Sequence, residues 1–226
     1  MKNDLFLENS LSAGEFSWGM RYLLFQTVFL PGLLGLLPLS AAILNFVFYC
    51  INFCCVLWFL RRFLLQAIQV RPAQLLRILG FGAVFFLLYQ VSEWALTAIL
   101  DTFGFRFANN NDQFVVQMAD DRYLLMFIGT VILVPVAEEA LHRGVVFRGL
   151  YDRSPKWAWC ICTVLFSLIH VAGYVGTAAP TDLILSFLQY IPAGLCLAGA
   201  YRLSGSLLCP VLIHMAINAM AMLSLR

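Results

Sequence analysis

Hydrophobic runs about as long as a membrane-spanning helix alternate with short polar segments along most of the chain. A helix needs about 20 mainly apolar residues to cross the ~30 Å hydrocarbon core of a bilayer. Seven runs meet this length, and they cover residues 20–39, 41–60, 78–100, 123–143 or beyond, 157–174, 183–201 and 207–223. The pattern predicts an all-α, polytopic transmembrane bundle of about seven helices, possibly eight.

Two segments depart from a simple series of spans. Only Ser40 separates the first two runs, which predicts a tight hairpin or a partly re-entrant segment, and Pro31-Gly32 weakens the first run as a continuous helix. Residues 61–77 mix Leu, Ile and Arg, a pattern typical of an amphipathic helix on the anionic inner leaflet.

The composition agrees with this class. The 226 residues are 62% hydrophobic and only 12% charged, with a mean hydropathy of +0.86, whereas soluble domains are about 25% charged. Little chain remains for a soluble domain. The net charge of +2 is small and its basic residues are scattered, so we expect no nucleic-acid partner. Nothing in the sequence indicates an oligomeric state.

The basic residues predict the orientation, because cytoplasmic loops are enriched in Lys and Arg. Nine basic residues fall on one side: Arg61, Arg62, Arg71, Arg77, Arg143, Arg148, Arg153, Lys156 and Arg202. The other side has three: Arg106, Arg122 and Arg226. We expect the N-terminus and the basic loops to be cytoplasmic, in a plasma (inner) membrane.

Ionisable side chains inside a bilayer are costly and usually functional. In the fourth run, Glu139 and Arg143 form an i,i+4 pair, whereas Glu138 is turned by about 100°. Glu139 is therefore a candidate ion-pair partner and Glu138 a candidate general base. Pro135 cannot donate to the carbonyl of Val131, so we expect an opened helix with unpaired backbone oxygen.

Two later runs supply further polar groups. Phe166-Ser167-Leu168-Ile169-His170 lies in the fifth run, and His214 and Asn218 share one face of the seventh. A carboxylate, a histidine and a His/Asn pair are the parts of a hydrolytic site, with a base for water and donors for an oxyanion.

The depths of these groups agree only if the fourth helix is long. A helix ending at Arg143 would leave Glu138 about 8 Å from the cytoplasmic face, against about 10 Å for His214 and about 20 Å for His170. A helix continuing to Tyr151 moves Glu138 to about 20 Å. We therefore predict a long, tilted fourth helix.

These residues resemble the three motifs of the CPBP (CAAX protease and bacteriocin-processing, or Abi) family of intramembrane glutamic endopeptidases, which includes the Rce1-type prenyl-protein proteases. The likeness covers roughly residues 123–222. It divides the chain into N-terminal helices and loops, 1–122, and a catalytic core, 123–226. The matching motifs are Glu138-Glu139-x-x-x-Arg143-Gly144, Phe166-x-x-x-His170 and His214-x-x-x-Asn218.

The resemblance implies an intramembrane endopeptidase that needs no cofactor or metal. Glu138 and His170 would activate water, and His214 and Asn218 would form the oxyanion hole. Glu139 with Arg143 would support the site, and a purely structural ion pair is the plainer interpretation of those two residues. The expected partners are the bilayer and a membrane-associated protein or peptide. A prenylated C-terminus, a bacteriocin leader and the anchor of a sorted surface protein all remain open as substrates.

Two other classes of function compete with the protease. Two histidines and a carboxylate are also a zinc ligand set, although the sequence has no H-E-x-x-H motif. Buried charges also serve proton relays, so a proton-coupled transporter or a non-catalytic immunity or scaffold protein is the third class.

Overall fold

The computed structural model describes residues 6–8, 10–105 and 109–225, and the regular elements of this part are all helices. The helical bundle predicted from the sequence is therefore confirmed. Arg106 and Arg226, which entered the comparison of basic residues, lie outside the described residues. In chain order the helices are α1 (Ala13–Val28), α2 (Leu30–Leu34), α3 (Ala41–Phe59), α4 (Arg61–Ala67), α5 (Pro72–Thr102), α6 (Asn110–Tyr151), α7 (Pro155–Ala172), α8 (Pro180–Ser204) and α9 (Leu208–Leu223).

Five of these helices, α3 and α5 to α8, are long and apolar enough to cross a membrane. Helix α9 is apolar but shorter. These six helices correspond to six of the seven predicted runs, and the protein is an integral membrane protein.

The first predicted run, 20–39, is not one helix. Helix α1 ends at Val28, the five-residue α2 follows, and the chain then turns before α3. Pro31 has no N–H to donate to the carbonyl of Thr27, so the α-helical hydrogen bonds cannot continue across Phe29.

The amphipathic helix expected over 61–77 is also shorter than predicted. Helix α4 spans only Arg61–Ala67, and Pro72 occupies the first turn of the long helix α5. Proline suits that position because its fixed φ is helical and its missing N–H would be unpaired there anyway. The remaining basic positions, Arg71 and Arg77, therefore belong to the start of α5.

Helix α6 runs 42 residues from Asn110 to Tyr151, so the long fourth helix is confirmed. It is kinked at Arg122, where φ is −143° and ψ is 62°. Two π-helical segments, Gly129–Leu133 and Ala140–Phe147, flank the α-helical turn that carries both glutamates. Such wide turns often occur at functional sites.

The other helices pack around the second half of α6. Helices α1, α3, α7, α8 and α9 all contact this half, and every residue of 140–147 is buried. Gly194 of α8 permits the close approach of α7, since a Cβ there would lie 2.9 Å from Cγ2 of Thr163. The result is an interior in which helices from both halves of the chain meet.

The segment before α1 lies against the turn between α8 and α9. The backbone N–H of Leu7 donates to the carbonyl of Gly205 at 2.6 Å. The carboxylate of Glu8 accepts from the N–H of Leu207 at 2.7 Å. Burial raises the pKa of Glu8, more than these hydrogen bonds lower it.

Candidate functional site

Glu139 is fully buried and connects α6 with α9. Its Oε1 accepts a hydrogen bond from Nη1 of Arg143 at 2.9 Å and lies 2.8 Å from Nδ1 of His214. Arg143, also fully buried, donates to the carbonyl of Gly194 at 3.2 Å and lies over the ring of Phe166, 4.4 Å from its centroid. The i,i+4 pair expected from the sequence is present, and it extends to α9.

Glu138 points away from this cluster and faces His170 of α7. Oε2 of Glu138 and Nε2 of His170 are 3.9 Å apart, and both side chains are mostly buried. Nδ1 of His170 lies 2.7 Å from the carbonyl of Phe166. Because a carbonyl only accepts, Nδ1 carries a proton and Nε2 is the atom directed at the glutamate.

His214 is held in a similar way. Its Nδ1 contacts the carboxylate of Glu139, so Nδ1 is the donating atom of that bond and Nε2 remains for other partners. The ring lines the same cavity as Glu138 and His170. Donation from Nε2 requires the imidazolium form, in which the Glu139 carboxylate would be shared by two cations, His214 and Arg143.

Asn218 pairs with a carbonyl that the π-helical turn exposes. The N–H of Val134 donates to Gly129, five residues back, so the next bond of that register would join residue 135 to the carbonyl of Thr130. Pro135 has no N–H, and Nδ2 of Asn218 donates to the Thr130 carbonyl at 2.8 Å instead. The sequence predicted a freed oxygen at Val131; the carbonyl that takes a side-chain donor from another helix is that of Thr130, one residue earlier.

A cavity of about 540 Å³ connects these groups. Its walls come from α1, α3, α5, α6, α7, α8 and α9, so it lies inside the bundle. Glu93 of α5, a further ionisable group within an apolar helix, also lines it. The four proposed catalytic side chains line this one cavity: Glu138, His170, His214 and Asn218.

Sequence reasoning missed a polar wall that α1 and α3 give to the cavity. Gln26 is 7% exposed, lines the cavity and forms no hydrogen bond through its side chain within the described part of the chain. Asn45 donates to the hydroxyl of Tyr49 at 2.7 Å, and Asn52 accepts from Tyr22 at 3.0 Å. Polar residues inside apolar runs were the available signal, and on α3 they recur at one-turn intervals along one face.

The ring of Tyr49 reaches the backbone of α6 at Gly129 because this residue has no side chain. A Cβ at Gly129 would overlap the tyrosine ring. The ring therefore packs directly on the first π-helical segment of α6, beside Thr130. This contact links the N-terminal helices to the helix that carries both glutamates.

His142, next to the ion pair, is buried away from the cavity. Its Nδ1 donates to the backbone carbonyl of Glu138 at 2.9 Å, and its ring meets Phe166 edge to face at a centroid distance of 5.4 Å. In the described part of the chain, no group of three or more His, Cys, Asp or Glu side chains is arranged to hold a metal ion.

Comparison with known protein families gives a match. Residues 120–220 match the model of the Rce1-like family, described as type II CAAX prenyl endopeptidase Rce1-like. No curated protein and no solved structure matches the chain. The matched segment contains all three motifs quoted from the sequence, and the resemblance to this family is confirmed.

Proposed function

We propose that this chain, whose residues 120–220 form an Rce1-like domain, is an intramembrane endopeptidase that hydrolyses a peptide bond with water activated by Glu138 and His170. The observation that carries the proposal is the arrangement of these two side chains. They face each other across 3.9 Å at the wall of an internal cavity, and their remaining polar contacts leave the facing atoms free for a ligand.

A water molecule between the two side chains has a defined orientation. The carboxylate of Glu138 and the lone pair of His170 Nε2 are both acceptors, so one water hydrogen is directed at each. Attack by the water oxygen on a peptide carbonyl then passes a proton to Glu138, which can return it to the leaving amine. His170 holds the second hydrogen and orients the oxygen.

The oxyanion formed by this attack needs donors on the opposite side of the carbonyl. Nε2–H of a protonated His214 and the second amide hydrogen of Asn218 are the available donors, and both side chains line the cavity. Glu139 orients His214 through their hydrogen bond, and Arg143 pairs with the same carboxylate. The positive charge of the cluster as a whole favours a developing negative charge.

The polar wall of α1 and α3 supports a peptide as the substrate. A peptide inside a bilayer brings backbone N–H and C=O groups that need partners. The free carboxamide of Gln26 offers both a donor and an acceptor at the cavity surface. The membrane-associated substrate would lie along this wall with its scissile bond beside Glu138.

The proposal is tested with purified protein in detergent and a prenylated C-terminal peptide, the substrate class that the family description suggests. We expect cleavage that Glu138→Gln abolishes and that strong chelators leave intact. A bacteriocin leader and a membrane-anchor peptide are tested in parallel. Loss of cleavage with a chelator and recovery with added Zn²⁺ would establish a metal hydrolase instead, and no cleavage of any membrane peptide would overturn the proposal.

We further propose that the basic loops are cytoplasmic. A single cysteine placed near Asn110, in a variant without reactive native thiols, should be labelled from outside the cell. A cysteine near Lys156 should be labelled only after permeabilisation. The reverse pattern would invert the orientation.

A further inference from the structure

A polar cluster at the end of α7, separate from the hydrolytic groups, contacts the His170 ring. The rings of Tyr190 and His170 are stacked, with centroids 4.1 Å apart and planes 25° from parallel. Tyr190 comes from the middle of α8, so the two helices meet at this contact. A stacked neighbour restricts rotation of the imidazole about its side-chain bonds.

The hydroxyl of Tyr190 is fixed from a third helix. It accepts a hydrogen bond from Nδ2 of Asn111 at 3.0 Å and donates to the carboxylate of Asp112 at 3.1 Å. The amide of Asn109 lies 3.3 Å from the same hydroxyl and donates to Gln189 at 2.8 Å. The hydroxyl of Tyr190 thus acts as both acceptor and donor toward the first turn of α6.

Asn109 is the N-cap residue that immediately precedes α6. Its side-chain oxygen accepts from the backbone N–H of Asn111 and of Asp112, which caps the helix. The same side chain therefore fixes both the start of α6 and the position of Tyr190. Helix α6 also carries Glu138, so one network connects the glutamate's helix with the histidine that faces it.

We infer that Tyr190 is a positioning residue for His170, an inference that rests on the proposed function for its catalytic consequence. The backbone carbonyl of Phe166 fixes the direction of Nδ1, and the tyrosine ring fixes the plane of the imidazole. Together they direct Nε2 at Glu138. The hydroxyl network keeps the tyrosine ring in place.

The kinetic test compares Tyr190→Leu, Tyr190→Phe and the matched control Tyr201→Leu. Tyr201 lies three turns further along α8, fully buried against Phe6 and away from the cavity. We expect Tyr190→Leu to lower kcat about 10²-fold with KM unchanged, as for a misplaced catalytic group. Tyr190→Phe keeps the stacked ring and should lose much less, and Tyr201→Leu should lower stability without lowering kcat.

A second readout needs no substrate. The chain has three histidines, so NMR of a histidine-labelled sample gives few ring signals, and His170→Gln assigns one set. Stacking on Tyr190 shifts the His170 ring protons upfield. We expect that shift to disappear in Tyr190→Leu and persist in Tyr190→Phe, while the His142 signals stay in place.

These outcomes separate the inference from the proposed function. Unchanged His170 signals in Tyr190→Leu, an equal loss of kcat in the Phe and Leu variants, or a rise in KM alone would overturn the positioning role. If the ring signals behave as expected and no peptide is cleaved by the wild type, the positioning contact stands and the protease proposal fails.

Discussion

Nδ1 of His214 lies 2.8 Å from Oε1 of Glu139, the same oxygen that accepts from Arg143 at 2.9 Å. One carboxylate thus compensates a buried guanidinium and orients a histidine on another helix. Since all three groups are enclosed, changing any one of them alters the charge balance of the interior.

We expect Glu139→Gln to lower stability as well as activity. The change leaves the Arg143 charge uncompensated in a fully buried site, which costs on the order of 3–5 kcal/mol. Thermal unfolding in detergent measures the effect. A double change to Glu139→Gln with Arg143→Met should recover part of the lost stability without restoring activity, and a stable, active Glu139→Gln protein would contradict the supporting role.

Glu138→Gln should have the opposite profile. It keeps the shape of the side chain but removes the base, so we expect cleavage to fall at least ~10²-fold. The melting temperature should stay near that of the wild type, because Glu138 is partly exposed and, within the described residues, its ion-pair contact is the 3.9 Å approach to His170. Cleavage near the wild-type rate would refute the assignment of the base.

The bond from Asn218 to the Thr130 carbonyl predicts a compensating pair. Asn218→Ala leaves the partly buried carbonyl of Thr130 without its donor, which costs up to about 1–3 kcal/mol. Pro135→Ala restores a backbone N–H at the position that the π-helical register directs at Thr130. Thermal unfolding should therefore show a smaller effect of Asn218→Ala in the Pro135→Ala background, and equal effects in both backgrounds would show that the carbonyl finds another partner.

Gln26→Leu tests the polar wall of the cavity. The variant removes a carboxamide that lines the cavity and has no hydrogen-bond partner in the described part of the chain. We expect KM for a peptide substrate to rise severalfold, because one lost hydrogen bond to the substrate weakens binding by about 1 kcal/mol. Stability should not fall, since no internal bond is lost. Gln69→Leu, an exposed glutamine between α4 and α5, is the matched control, and an unchanged KM in Gln26→Leu would remove this residue from the substrate site.

We expect the stability of the protein to depend on pH through Glu8, which lies outside the membrane-spanning helices. Burial raises the pKa of Glu8 in the folded state above its unfolded value. The folded state then binds this proton more tightly, so the contribution is fully present below the unfolded pKa and is lost as the pH rises through the folded pKa. Glu8→Gln should remove this pH-dependent contribution to stability. The melting temperature of the variant should therefore rise relative to that of the wild type as the pH increases. A constant difference between pH 4 and pH 7 would contradict the prediction.

Local sequence determined the class of the protein and part of its site. Hydrophobic length predicts spans because each helix satisfies its own backbone in lipid. The ion pair of Glu139 and Arg143 followed from helical periodicity, because residues four apart share a face. The continuation of α6 to Tyr151 was also predictable, since the residues after Arg143 stay apolar.

The tertiary structure decided which helices meet and at which rotation. Glu139 with His214, Asn218 with Thr130 and Tyr190 with His170 all join different helices. Hydropathy does not encode these contacts, because lipid-facing and protein-facing apolar residues have the same chemistry and helix association depends on shape and polar pairing. Only the packed bundle shows that Glu139 also contacts His214 of α9, and that Glu138 lines a cavity together with His170.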